Sequence, residues 1–299
     1  MIIEKLKPRG YCHGVVDAIK IIRSLKINDL KQPVYILGML VHNKEVIKEF
    51  TDKGFITLHD KLKTRSQLLD QIQTKGTLIL TAHGTADEVI KKAKDKGLDV
   101  IDTTCLDVRK TAKLIEEHLK DDYHILYIGK KGHPESEAVC QMDTKRIHLI
   151  SSSDSIKTLN LKTEKLLVTN QTTMSFYDVY RLSEELKARY PYIKTIEEIC
   201  DATKTRQEAV ANQSRDIDHC FVVGDKLSNN SNNLVKISKE KAGINASLIE
   251  TIKDLDIDLL KTLKKVSITS GASTPTKTTN QVIAFLEQFD QNNPSTWTK

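Results

Sequence analysis

Cys12, Cys105 and Cys200 are spaced 93 and 95 residues apart, and each stands between a short extended run and an amphipathic helical pattern. Glu4 to Tyr11, Val100 to Thr104 and Ile193 to Ile199 precede them; Gly14 to Leu25, Leu106 to Leu119 and Asp201 to Asn212 follow. Any one of these cysteines alone reads most simply as a small buried hydrophobe. Three with matched flanking elements read as one unit used three times, able to bring three thiolates to one centre. Such a centre leaves one coordination position open, which permits chemistry where a closed four-ligand site usually serves structure. Zinc typically takes ligands from close pairs such as C-x-x-C, and the chain has none. Three widely separated thiolates suit an iron–sulfur cluster with one iron lacking a cysteine. Cys140 and Cys220 fall outside the spacing and read as buried small hydrophobes.

Each unit also brings polar residues to matching places. The runs VYILG, HILYIG and CFVVG end at Gly38, Gly129 and Gly224, and four residues further stand His42, His133 and Ser228, each opening a helical pattern. Unpaired N–H groups and the positive end of the dipole make a helix start a natural anion site. A fourth run ends near His83, Thr172 and Ser273, in TLILTAHGT, KLLVTNQTT and VSITSGAST. Two roles compete for His42, His83 and His133: metal ligand, or hydrogen-bond donor to an anion. The donor role is favoured because the third unit supplies Ser228, Asn230 and Ser273 at corresponding places, and neutral donors suit phosphate oxygens better than iron. A diphosphate would then be held by imidazole, hydroxyl and amide groups, since no G-x-x-x-x-G-K-S/T loop is present. Glu135, two residues past His133, reads either as a surface carboxylate at a helix start or as the acid that protonates a leaving hydroxide in a reductive C–O cleavage. Thr172 could orient or relay that proton, while Asn170 and Thr173 read as turn-capping residues.

The elements that must position these groups follow from the same pattern. Strands alternating with helical runs of roughly 10–15 residues form right-handed βαβ units and mostly parallel sheets, whose ligand sites lie outside the carboxyl ends of the strands. Every polar residue named above falls at that edge. The expected fold class is α/β, with three small pseudo-threefold-related α/β domains, since a repeat of about 94 residues is too long for a solenoid. The expected boundaries are 13–105, 106–199 and 200–285, with residues 1–12 completing the last domain's sheet. Residues 286–299 form a polar C-terminal tail, loosely ordered or draped over the surface.

A chain of 299 residues with 39% hydrophobic, 5% aromatic and 29% charged residues has the balance of an aliphatic-cored globular protein, neither fibrous nor disordered. No run approaches the roughly 18 apolar residues of a spanning helix, and MIIEKLKPRG lacks the apolar stretch of a signal peptide. A cytoplasmic location with no membrane partner is therefore expected. Five cysteines in a reducing compartment point to metal or catalytic use before disulfides. The net charge of +6 is scattered along helical segments instead of clustered with aromatics, which argues against nucleic acid as a partner. A mildly basic face would still help an acidic electron carrier or an anionic substrate to approach.

Taken together, RGYCHGVVDAI, LVHNKEVI, TAHGT, DTTCLDV, GHPESEAV, NQTT, CDATKTRQEA and SGASTP resemble the 4-hydroxy-3-methylbut-2-enyl diphosphate reductase family, over nearly the whole chain from Pro8 to Leu286. The resemblance implies a trefoil of three α/β domains around a central iron–sulfur cluster bound by Cys12, Cys105 and Cys200. That cluster would be 4Fe-4S, or 3Fe-4S once its labile iron is lost. It further implies that His42, His83, His133, Ser228, Asn230 and Ser273 hold the substrate diphosphate, with Glu135 as proton source and Thr172 bonded to the substrate hydroxyl. The implied reaction is a two-electron, two-proton reductive dehydroxylation of (E)-4-hydroxy-3-methylbut-2-enyl diphosphate. Its products are isopentenyl and dimethylallyl diphosphate, at the last step of the methylerythritol phosphate route to isoprenoids. A ferredoxin- or flavodoxin-like carrier would supply the electrons, because no flavin or nicotinamide fingerprint is present, and the chain is expected as a monomer or weak dimer. One position departs from the family: Ser228-Asn229-Asn230 stands where a serine pair usually precedes the asparagine. Either the Asn229 amide or a backbone N–H of the helix start takes over that donor. Two other classes fit less of the pattern. A non-enzymatic iron–sulfur regulator would need a partner surface that the sequence does not display, and a metal-free phosphate-binding protein would leave three positioned thiols without a role.

Overall fold

A computed structural model describes residues 1–41, 43–60 and 62–298. Its strands are β1 (Ile2–Lys5), β2 (Val34–Leu37), β3 (Ile56–Leu58), β4 (Thr77–Leu80), β5 (Asp99–Asp102), β6 (His124–Ile128), β7 (Ile147–Ile150), β8 (Leu166–Asn170), β9 (Lys194–Thr195), β10 (His219–Val223), β11 (Ala246–Ile249) and β12 (Lys265–Ser270). The α-helices are α1 (His13–Ser24), α2 (Lys44–Asp52), α3 (Arg65–Asp70), α4 (Asp87–Asp95), α5 (Leu106–Lys120), α6 (Pro134–Met142), α7 (Ser153–Lys157), α8 (Phe176–Arg189), α9 (Asp201–Ala211), α10 (Asn229–Ile237), α11 (Ile257–Leu260) and α12 (Thr276–Gln288).

The strands pair, all in parallel, into three four-stranded sheets of one shared order: β3-β2-β4-β5, β7-β6-β8-β9 and β11-β10-β12-β1. Of their inner strands, TLIL in β4, LLVTN in β8 and HCFVV in β10 are buried along their whole length. That follows from parallel pairing, which puts helices over both faces and asks for apolar residues without alternation. The strand that leads to each cysteine, β1, β5 or β9, is always the edge strand at the same side of its sheet. By residue contacts the chain gathers into two compact units. One combines Met1–His13 with Asp201–Lys299 and holds the sheet β11-β10-β12-β1; the other, Gly14–Cys200, holds the remaining two sheets.

In the first unit, α12 lays Val282, Ile283 and Leu286 against Phe221, Val266 and Ile268. The i, i+1, i+4 spacing puts these three on one helical face, and burying each side chain contributes roughly 1.5–3 kcal/mol. Comparable clusters lie within the second unit, around Leu78 and Leu80 and around Leu126 and Val168.

Two local differences from the sequence expectation stand out. The run before Cys12 is a strand only to Lys5; Leu6 to Tyr11 is irregular, because Pro8 has no N–H for a ladder and Gly10 adopts φ +80°. The run before Cys200 keeps only Lys194–Thr195 as strand. The polar tail is draped over the surface, the second of the two states expected of it: the Trp297 ring stacks on Phe289 at 6.3 Å, Lys261 Nζ sits 4.1 Å over it, and its indole N–H donates to the Asp290 carbonyl at 2.8 Å. Among the described residues no helix is long and apolar enough to cross a membrane.

Candidate functional site

The three cysteines are placed by one repeated hydrogen bond. Cys12 N–H donates to the Ala272 carbonyl at 2.9 Å, Cys105 N–H to Ala82 at 3.0 Å and Cys200 N–H to Thr172 at 3.2 Å. Each acceptor lies two residues past an inner strand, and each cysteine immediately precedes a helix. Negative charge is favoured at such helix starts. All three thiols are half-buried and none of the five cysteines is in a disulfide. Cys220 is fully buried as expected, but Cys140 is half-buried on the edge of an apolar cluster, and burial pushes its thiol up to about 11.

Supporting residues fix the loops that carry the thiols. In the first unit, Arg206 of α9 donates through Nη2 to the Gly10 carbonyl at 2.7 Å, holding the turn before Cys12. In the second, Asn170 Oδ1 accepts from Glu198 N–H at 3.1 Å and ties down the approach to Cys200. Gly14 is packed so closely on Cys105 that a Cβ there would collide with the sulfur.

Within the second unit, His83, His133, Glu135 and Thr172 come together. The His83 and His133 rings meet edge to face at 5.9 Å. His133 caps α6, its Nδ1 accepting from Glu135 N–H at 3.2 Å, with Pro134 supplying the fixed φ of a first helical position. An Nδ1 that accepts carries no proton, so this hydrogen-bond network assigns His133 as the neutral tautomer with its hydrogen on Nε2, a donor for an anion.

Glu135 is 2% exposed, which removes the surface-carboxylate reading. Its Oε1 accepts from Thr172 N–H at 2.8 Å and from the Tyr127 hydroxyl at 3.2 Å, while Oε2 lies 2.8 Å from Thr172 Oγ1. Loss of hydration raises the carboxyl from 4.5 to about 7 against the pull of the Thr172 and Tyr127 bonds, with Asp107 adding a smaller upward push. A carboxyl poised there is half-protonated near neutral pH, the condition for a general acid. Glu135 also lines a cavity of about 350 Å³ walled by Val108, Arg109, Ala138 and Met142.

In the first unit, Ser228 caps α10 by accepting from Ser231 N–H at 3.3 Å. Asn230 is buried, its Oδ1 accepting from Ala272 N–H at 3.2 Å and its Nδ2 donating to Thr203 Oγ1 at 3.3 Å. Ser273, next to Ala272 in sequence, is buried, and Asn229 is half-buried at the first helical position. His42 lies outside the described residues.

The cysteine bonds also correct a register. Sequence alignment of strand ends set Thr172 beside His83 and Ser273; the residues matched through the cysteine N–H are Ala82, Thr172 and Ala272. The Thr172 hydroxyl therefore has no counterpart in the other two repeats. Sequence reasoning passed over Tyr127 and Gln171. Gln171 Oε1 accepts from Lys130 N–H at 3.0 Å and Ser136 Oγ at 3.1 Å, binding the loop before α6 to the end of β8. The available signal for Tyr127 was a hydroxyl in an otherwise aliphatic run, since a buried phenol needs a partner.

The sequence pattern of the LytB protein family matches residues 3–287. The 4-hydroxy-3-methylbut-2-enyl diphosphate reductase of Geobacillus thermodenitrificans is 51% identical over 298 residues, covering 99% of this chain and 93% of the relative. That of Bacillus subtilis is 48% identical over 299 residues, covering 100% and 94%. The solved structure of the E-1-hydroxy-2-methyl-but-2-enyl-4-diphosphate reductase of Plasmodium falciparum superposes with a TM-score of 0.87 at 32% identity, covering 99% of this chain and 90% of that one.

Proposed function

The chain belongs to the LytB protein family, that of the 4-hydroxy-3-methylbut-2-enyl diphosphate reductases, and from that premise we propose how its own residues serve the reaction. It is an oxidoreductase of isoprenoid synthesis that removes the hydroxyl of (E)-4-hydroxy-3-methylbut-2-enyl diphosphate. Two electrons and two protons are consumed, the C–O bond breaks, the oxygen leaves as water, and isopentenyl and dimethylallyl diphosphate result. The observation that carries the proposal is Glu135: a buried carboxyl near 7, bonded to a hydroxyl that the other repeats lack.

Cys12, Cys105 and Cys200 are the residues that would hold an iron–sulfur cluster, proposed as 4Fe-4S. The donor set fits, as three half-buried thiols outside any disulfide, with fixed backbone N–H groups and one of them given room by a glycine. When bound, such a group supplies electron transfer and a Lewis-acidic iron toward the hydroxyl oxygen. His42, His83, His133, Ser228, Asn229, Asn230 and Ser273 would bind the diphosphate. His133 offers Nε2–H, and Asn230 offers the amide hydrogen not given to Thr203. Glu135 holds the proton, and Thr172 Oγ1 passes it to the leaving oxygen, since hydroxide leaves poorly. Burial of Glu135 and Thr172 keeps water from competing for that proton.

A one-electron carrier of ferredoxin or flavodoxin type is the proposed donor, and a cytoplasmic location is proposed because none of the five cysteines is in a disulfide. Division into three domains at 13–105, 106–199 and 200–285 with 1–12 is proposed on the shared strand order of the sheets. The test is anaerobic purification followed by iron and sulfide analysis and an assay with the allylic diphosphate and a chemical reductant. Iron and sulfide near four each per chain, with both isomeric products, are expected. Stoichiometric zinc and no product would overturn the proposal.

A further inference from the structure

We propose that Tyr127 is a positioning residue that decides which oxygen of Glu135 carries the proton, an inference that rests on Glu135 being the proton source. The geometry is asymmetric. Oε1 faces two donors, Thr172 N–H at 2.8 Å and the Tyr127 hydroxyl at 3.2 Å, whereas among the described residues Oε2 faces only Thr172 Oγ1 at 2.8 Å. A hydrogen on Oε1 would point at two other hydrogens, so the neutral acid keeps its proton on Oε2. There it donates to Thr172 Oγ1, which frees the threonine's own hydrogen to face a substrate oxygen. The backbone N–H supplies one of the two opposing donors; Tyr127 supplies the other and completes the bias.

An independent comparison within the chain supports the assignment. Two residues before the glycines that end β2, β6 and β10 stand Ile36, Tyr127 and Val222. The phenol thus occurs in the repeat that carries Glu135, and in the third repeat the residue matching Glu135 is Asn230, whose amide hydrogens are fixed and need no selection. Tyr127 is fully buried in β6, and loss of hydration beside Glu135 raises its own pKa, so it stays a donor across the working pH range. The groups that face Glu135 are Tyr127 from β6, Thr172 after β8, Asp107 from α5 and His133 at the start of α6. The cavity it lines adds Asp102, Arg109, Lys113 and Glu116.

Tyr127→Phe in the full chain tests this by infrared difference spectroscopy across a pH step, the Glu135 carbonyl band being the one missing in Glu135→Gln. With one donor removed from Oε1, that band should move to higher wavenumber. The alkaline limb of kcat should move up by about one pH unit, because the lost bond favours the ionised form, with KM within about twofold. Incorporating 3-fluorotyrosine at position 127 keeps the packing and strengthens the donor, so it should move the band the opposite way; this arm stands even where the phenylalanine variant fails to fold. An unmoved band and limb in variants of normal melting temperature would overturn the role of Tyr127. Full activity in Glu135→Gln would instead overturn the proton-source reading itself.

Discussion

The starts of α6 and α10 are built alike and equipped differently. In both, a capping residue precedes the helix and the second helical residue reaches across to accept the N–H two residues past a neighbouring strand: Glu135 from Thr172, Asn230 from Ala272. In both, the carbonyl of that same partner holds a cysteine N–H, of Cys200 in one case and Cys12 in the other. The equipment then diverges. Asn230 is neutral at every pH and its amide is shared with Thr203, whereas Glu135 is an acid raised by desolvation, with a hydroxyl from Thr172 where the other site has an alanine methyl. One architecture thus serves a fixed hydrogen-bond anchor in one repeat and a titrating group in another, and function resides in the substitutions between repeats.

The largest expected effect lies in the half that the two regions share. Cys200→Ser and Cys12→Ser should each abolish bound iron and turnover, and a variant of either that keeps its visible absorption would break the equivalence. Next is the cost of the titrating group. Glu135 rises from 4.5 to about 7 on folding, so between those values the folded chain holds a proton that the unfolded chain has released. Stability is therefore lost as pH rises through that window, by about 3 kcal/mol in all. Denaturation of Glu135→Gln should accordingly show the variant gaining on the wild type from pH 4.5 to pH 7, and an equal difference at both ends would contradict the desolvated acid.

At the other site Asn230→Ala should cost roughly 1–3 kcal/mol at any pH, because it leaves the buried Ala272 N–H without its acceptor. A pH-dependent loss there would erase the contrast between the two regions. Smallest is Asn229→Ser, which restores the serine usual in the family; substrate KM should change by less than about tenfold, a neutral donor being exchanged for another.

The spacing of the cysteines, the glycine-ended strands and the parallel sheets were legible because each rests on local pattern: apolar runs without alternation, and polar residues at helix starts. The chemistry around Glu135 was less so. Tyr127 lies in HILYI and reads as core; only the fold shows that its hydroxyl reaches back to the start of the next helix. Gln171 was hidden for a similar reason, since its two acceptor bonds go to residues 41 and 35 positions away. Thr172 was misaligned by one residue because strand ends were matched by residue type, while backbone hydrogen bonds fix the true register. The tail's polar composition concealed Trp297, whose ring anchors it on Phe289.

The central claim, that Glu135 of the second repeat supplies the proton while other groups hold the diphosphate, is tested most directly by the kinetics of Glu135→Gln under anaerobic conditions. Substrate affinity should stay within about threefold of the wild type while kcat falls on the order of 10²–10⁴-fold. A kcat within a few-fold of the wild type, or a loss confined to affinity, would contradict the account.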